Sequence, residues 1–145
     1  MLSKTLILGG EGYIGSVLQE YLPDATIYDI KSGYDINNLD QLYPAIQKAD
    51  KIIHLAGLSN DQVVNSSPSV AWQTNYLANV TISKLLKYTK KKLVFASSCS
   101  VYGDSDKSLV DETSTINPLL LYARGKALSE ELFKDQVVLR FSTVK

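Results

Sequence analysis

A single cysteine, Cys99, and a single histidine, His54, are all the chain offers of the residues used for disulfides, soft-metal sites and acid–base work near neutrality. One cysteine cannot close an internal disulfide, which favours a reducing compartment, and with no second thiol nearby it carries no metal-ligand spacing. An excess of one charge is missing too: 15 Lys and Arg stand against 15 Asp and Glu. That balance removes any electrostatic argument for nucleic acid or for an anionic membrane surface. No apolar run approaches the roughly 20 residues that cross a bilayer. Residues 1–8 enter a strand pattern directly, without the hydrophobic stretch and cleavage site of a secretory leader. The expectation is a cytoplasmic protein that works on a small molecule, with no metal, nucleic acid or membrane as partner.

What is present is an alternation of short apolar runs and helical patterns over 145 residues, enough for one domain with a real core. Thr5 to Leu8 reads as a buried parallel strand that ends at Gly9-Gly10. From Tyr13 to Leu22 the apolar residues recur at helical spacing until Pro23. A second strand is expected over Ala25 to Ile30, a helix over Leu39 to Lys48 and a third strand over Lys51 to Ala56, with a short additional strand near Tyr34 to Ile36. Leu58 to Pro68 reads as a polar loop, Ser69 to Lys90 as one long helix, and Lys90-Lys91-Lys92 as cations at its C-terminus. Leu93 to Ala96 follows as a strand, then a loop to Leu121, a helix over Tyr122 to Phe133 and a strand over Val137 to Phe141. Strands alternating with helices imply an α/β fold, a doubly wound parallel sheet joined by right-handed crossovers.

The first turn carries Gly9, Gly12 and Gly15 at three-residue spacing, between a strand and a helix. Such a turn lets backbone approach a pyrophosphate while the helix N-terminus supplies N–H donors and the positive end of its dipole; a purely structural turn is the competing reading. Asp29 stands 20 residues after Gly9 at the end of the second strand, where a carboxylate can accept hydrogen bonds from adenosine ribose hydroxyls and repel a 2′-phosphate. NAD is thus favoured over NADP, with Lys31 as the opposing feature. Tyr122 and Lys126, four apart on an expected helix, project on one face, and an ammonium beside a phenol favours phenolate. Ser97 to Gly103 leaves the C-terminal end of the fourth strand, where open α/β sheets place their ligands.

Together these pieces resemble the extended short-chain dehydrogenase/reductase family, in its branch of NAD-dependent nucleotide-sugar epimerases and dehydratases. The matching segments are Gly9 to Gly15, Asp35-Ile36, His54 to Gly57, Thr74-Asn75, Ser97 to Gly103, Asn117-Pro118, Tyr122 with Lys126, and Leu139 to Phe141. The resemblance implies that Tyr122 is the base for a substrate hydroxyl, that Lys126 holds the nicotinamide ribose, and that Ser98 shares the hydroxyl's hydrogen bond. It implies cofactor contacts from Gly9, Gly12, Tyr13, Ile14, Gly15 and Asp29, from Asp35 and Ile36 beside the adenine, and from Leu55, Ala56 and Gly57. Ser100 stands where some dehydratases and related enzymes place an additional acid or thiol, which tilts the reading toward epimerisation or simple oxidation. Gly125 and Leu121 depart from the family's usual serine or threonine before the lysine and proline before the tyrosine.

The remaining residues read more plainly. His54 is assigned to packing or backbone support, Cys99 to a small loop position, Trp72 and Tyr76 to the core, Tyr102 to packing, and Asp104 and Asp106 to a solvated loop. Family members continue into a domain that grips the nucleotide-sugar, so residues 1–145 are expected to form the NAD-binding Rossmann domain without it. A fragment, a short enzyme completed by homo-oligomerisation, as a dimer, or by a partner subunit, and a silent dinucleotide-binding module all remain open at this point.

Overall fold

A computed structural model describes residues 4–104 and 109–142, so Asp106 lies outside the described residues. Five strands, β1 (Thr5–Leu8), β2 (Thr26–Tyr28), β3 (Lys51–His54), β4 (Lys92–Ser98) and β5 (Val137–Phe141), form one parallel sheet in the order β2-β1-β3-β4-β5. This is a Rossmann-type doubly wound sheet. The chain steps outward from β1 to β2, returns across β1 to β3 and continues to β5. Strand order therefore reverses between β1 and β3, and the crevice at their C-terminal ends is where such sheets bind ligands.

Right-handed crossovers put α1 (Tyr13–Tyr21) on one face and α2 (Leu39–Lys48), α5 (Ala78–Thr89) and α6 (Leu121–Leu132) on the other. The main core lies under the three-helix face: Leu6 and Leu8 of β1, Ile52 of β3, and Leu93 and Phe95 of β4 meet Ile46, Ile82, Leu86 and Phe133. Burial alternates along β4, a pattern unlike the continuous apolar run of a strand covered on both sides. On the edge strand β5, Val137 and Leu139 stay exposed.

Several expectations shift. No strand forms at Tyr34–Ile36: Gly33 turns the chain in the left-handed region, and Asp35 engages Asn37 and Gln41 instead of a ladder. The polar loop from Leu58 to Pro68 contains a helix, α3 (Asp61–Ser66), because the Asn60 side chain accepts the N–H groups of Gln62 and Val63. The long helix begins as α4 (Pro68–Trp72) and passes through a π turn at Gln73–Leu77 before α5. Trp72 and Tyr76 stack on each other at 4.8 Å and are half-buried rather than core. Lys90 caps α5 in the left-handed conformation and Lys92 already belongs to β4, so the lysine cluster spans a helix end and a strand start.

Candidate active site and dinucleotide cleft

The glycine turn leaves β1 beside the C-terminal end of β3. Gly9 has φ +81°, and a Cβ there would lie 2.6 Å from the Ala56 backbone N, so both conformation and close approach require glycine. At Gly15 the obstacle is the turn itself: a Cβ would sit 2.4 Å from the Gly10 carbonyl. Gly12 differs, since a Cβ there would meet only the Gly9 carbonyl, at 3.3 Å. It is the N-cap of α1 and supplies no side-chain cap, so the first N–H groups of that helix are left to other acceptors. An open cradle at an uncapped helix N-terminus fits a pyrophosphate.

Two cavities share this turn. One, of about 490 Å³, runs from Gly9 and Gly12 past Asp29 and Lys31 to Asp35 and Ile36 on one side and Leu55 to Gly57 on the other. The other, of about 480 Å³, joins Gly9 to Gly15, Leu55 and Gly57 to Ser98, Tyr122 and Lys126. Every residue that sequence reading assigned to the cofactor or to catalysis lines one or both. Thr74, Ser59 and Phe141 line them as well and had been given no role.

Asp29 is nearly buried, and its oxygens accept the backbone N–H groups of Glu11 at 2.9 Å and Lys31 at 3.0 Å. It therefore ties the glycine turn to β2, and each oxygen keeps a second lone pair for a ribose hydroxyl. The Lys31 ammonium is held on the Glu11 carbonyl at 2.8 Å. Tyr28 donates its phenol to the Asp35 carbonyl at 2.8 Å, and burial pushes its pKa up to about 12.

Lys126 is 5% exposed, and its Nζ donates to the Ala96 carbonyl at 2.7 Å. The same atom lies 4.7 Å from the centre of the Phe95 ring and 5.7 Å from that of Tyr122, as a four-residue helical spacing allows. Burial lowers its pKa to about 8. Ser98 accepts the Ser100 N–H at 3.1 Å and the Ser100 hydroxyl at 2.9 Å, so Ser100 backs Ser98. Cys99 is half-buried with its thiol near the Arg140 carbonyl, and Tyr102 is buried against Arg140, which also bridges to Glu130 at 2.7 Å.

Asn75, in the π turn, belongs to the matching segment Thr74-Asn75, which by itself implies no task. Its side chain accepts from Leu58 N at 2.7 Å and donates to Leu58 O at 2.9 Å, clamping the segment after β3. Gly125, inside α6, faces Asn75: a Cβ there would lie 3.5 Å from the Asn75 Cβ. His54 is fully buried and lines neither cavity.

A sequence profile described as the NAD dependent epimerase/dehydratase family matches residues 5–137. A UDP-glucose 4-epimerase of Cyamopsis tetragonoloba is 35% identical over 104 residues, which cover 70% of this chain and 28% of that protein. A putative UDP-glucose 4-epimerase of Methanocaldococcus jannaschii is 28% identical, over 96% of this chain and 55% of its own. Among solved structures, a UDP-glucose 4-epimerase from Brucella ovis in complex with NAD superimposes with TM-score 0.87 at 23% identity, over 97% of this chain and 52% of that one. A dTDP-4-dehydrorhamnose reductase from Bacillus anthracis in complex with NADP gives TM-score 0.84 at 24% identity, over 98% and 54%. The chain thus spans about half the length of most of these proteins. With the profile running from β1 into β5, the chain belongs to the NAD dependent epimerase/dehydratase family.

Proposed function

We propose that this chain supplies the dinucleotide and proton-transfer half of an NAD-dependent nucleotide-sugar epimerase or dehydratase, with epimerisation or simple oxidation ahead of dehydration. The observation that carries this is the convergence of Ser98, Tyr122 and Lys126 with the glycine turn on one cavity at the sheet's switch point. Gly12 and the N-terminus of α1 would hold the pyrophosphate, Asp29 the adenosine ribose, and Lys126 the nicotinamide ribose. A nicotinamide held there would supply hydride chemistry to the cleft. Tyr122 takes the proton from the substrate hydroxyl and gives it back. Lys126, protonated below about pH 8, favours the phenolate during that exchange. Ser98, whose oxygen already accepts two hydrogen bonds from Ser100, offers its own proton to the substrate oxygen.

Two carboxylates, Asp29 and Asp35, line the adenosine side of the cleft, and Lys31 is occupied by the glycine turn, which favours NAD over NADP. Calorimetric titration tests the assignment: NAD should bind more tightly than NADP, and Asp29→Ala should weaken NAD selectively. Equal affinities would sink it. A second reading is a dinucleotide-binding module that turns over nothing by itself. Remote substrate contacts normally contribute to orientation at the reacting centre. Anaerobic incubation with NAD and UDP-, GDP- and dTDP-sugars separates the two. Product that Tyr122→Phe abolishes excludes the silent module, whereas binding without product excludes turnover by this chain on its own.

A further inference from the structure

His54 stands at the end of β3, on the core face of the sheet, with no exposed surface. Its ring lies among Phe95 and Phe133, with centroids 5.4 and 6.2 Å away. The Nε2 atom is 2.6 Å from the Oδ1 of Asn79. Which atom carries the hydrogen follows from the amide. Asn79 Nδ2 donates to the Asn75 carbonyl and to Ser129 Oγ, each at 2.9 Å, so Oδ1 faces the ring and Nε2 must donate. The other nitrogen, Nδ1, is then a buried acceptor with no hydrogen-bond partner among the described residues.

An unsatisfied buried acceptor is costly, and a leucine would fill this apolar site without it. What the imidazole provides is the rest of the chain of bonds. Ser129 Oγ, fully buried, donates to the Gly125 carbonyl at 2.8 Å and lies 3.2 Å from the Asn75 carbonyl. One continuous polar path therefore runs from β3 through α5 and the π turn into α6, reaching the residue next to Lys126. The crevice wall from Leu55 to Gly57 begins at its other end.

We propose that His54 is a positioning residue whose Nε2–H, relayed by Asn79 and Ser129, fixes α6 against the end of β3 and so places Tyr122 and Lys126 over the cleft. The inference rests on the reading above that Tyr122 and Lys126 are the working pair. His54 itself touches neither cavity, so it is not the base.

Two substitutions separate positioning from packing. His54→Leu keeps the apolar fit and loses the donor, while His54→Gln carries an Nε2–H that can reach Asn79. With the 145-residue chain, NAD affinity is read by calorimetry. The Tyr122 environment is read from its 13Cζ signal, assigned with Tyr122→Phe and followed through pH. His54→Leu exchanges one unsatisfied buried acceptor, its own Nδ1, for another, Asn79 Oδ1, so it should fold and melt near the parent, yet bind NAD about tenfold more weakly and displace the Tyr122 titration. His54→Gln should restore both. Should His54→Leu fail to fold, Ser129→Ala breaks the same path at its far end and should give the same two changes. The proposal is overturned if the folded variant keeps parental affinity and titration, or if glutamine does no better than leucine. Lys126→Met distinguishes the two levels of the argument. If it leaves NAD affinity unchanged, the reading of the working pair fails; if it weakens NAD while the His54 and Ser129 variants do not, only the positioning role fails.

Discussion

Lys126→Met is expected to make this protein more stable while weakening its hold on NAD. The ammonium is 5% exposed, and no carboxylate appears among the described partners of its Nζ, which are the Ala96 carbonyl and two aromatic faces. Burial takes its pKa from 10.5 to about 8. At about 1.4 kcal/mol per pH unit, keeping the group charged in the fold at pH 7 costs roughly 3 kcal/mol. Methionine removes that cost and keeps most of the stem's packing, but strands the Ala96 carbonyl, a loss of about 1 kcal/mol. The net gain is about 2 kcal/mol, or roughly 4–8 °C in Tm for a chain of this size.

The pH dependence carries a sign that a packing effect would not. Below about pH 8 folded and unfolded chains both hold the proton, so the full cost is present. Between about 8 and 10.5 the unfolded chain keeps a proton that the fold releases, so parental stability rises with pH while the methionine variant lacks this gain. Tyr28 acts oppositely above pH 10, because its pKa is raised to about 12 in the fold, which sets the upper end of the useful window. Urea unfolding of both proteins at pH 7, 8, 9 and 10 measures the gap. A variant no more stable at pH 7, or a gap that does not narrow toward pH 10, would refute the reasoning.

His54 has its pKa lowered to about 4, by burial first, with the Lys126 charge pushing the same way against the Asn79 hydrogen bond. A depressed base means stability is lost as pH falls from 6.5 toward 4, by roughly 3 kcal/mol, because the unfolded chain takes up the proton first. Urea midpoints at pH 7 and 4.5 should show that slope in the parent and a shallower one in His54→Gln; equal slopes would mean the ring is not held neutral. Gly125→Ala should raise stability by up to about 1 kcal/mol, since glycine is disfavoured inside a helix and the added Cβ meets nothing closer than 3.5 Å. A lower melting temperature would show that α6 and Asn75 cannot accommodate it. Gly12→Ala should fold normally yet weaken NAD tenfold or more, whereas Gly15→Ala, which drives a Cβ into the Gly10 carbonyl, should cost about 2 kcal/mol or more of stability. Thermal melts beside NAD titrations tell the two glycines apart.

Strands and helices were legible where local pattern and tertiary environment agree. Thr5–Leu8 and Val137–Phe141 are bounded by the residues that mark them in the sequence, and Leu39–Lys48 opens on the Asn38 cap. Where they disagree, the same residue types carry two meanings. Asn60 punctuates a polar stretch that reads as loop, and it is also what caps α3. Tyr34 to Ile36 has strand composition, but Tyr28 already lies at the sheet edge and Tyr34 stacks on it at 5.2 Å instead of extending the ladder. No local pattern announces the π turn. Its polar partners, Asn79 with Ser129 and Asn75 with Ser129, are 50 and 54 residues apart in sequence.

The site divides along the same line. Spacing alone places Tyr122 and Lys126 on one face, and the glycine turn with Asp29 belongs to one βαβ unit, so each was readable as a short-range pattern. Burial is not a short-range property. Lys126 looks in sequence like any surface lysine of a helix, and only the arrival of β4 beneath α6 removes its water and lowers its pKa. His54 shows the converse. As the sole histidine it invites assignment as a base, yet the alternation of β3 turns it to the core face, away from both cavities. A residue's type sets what it can do chemically. The parity of its strand and the helix laid over it decide whether it meets a ligand or holds in place the residues that do.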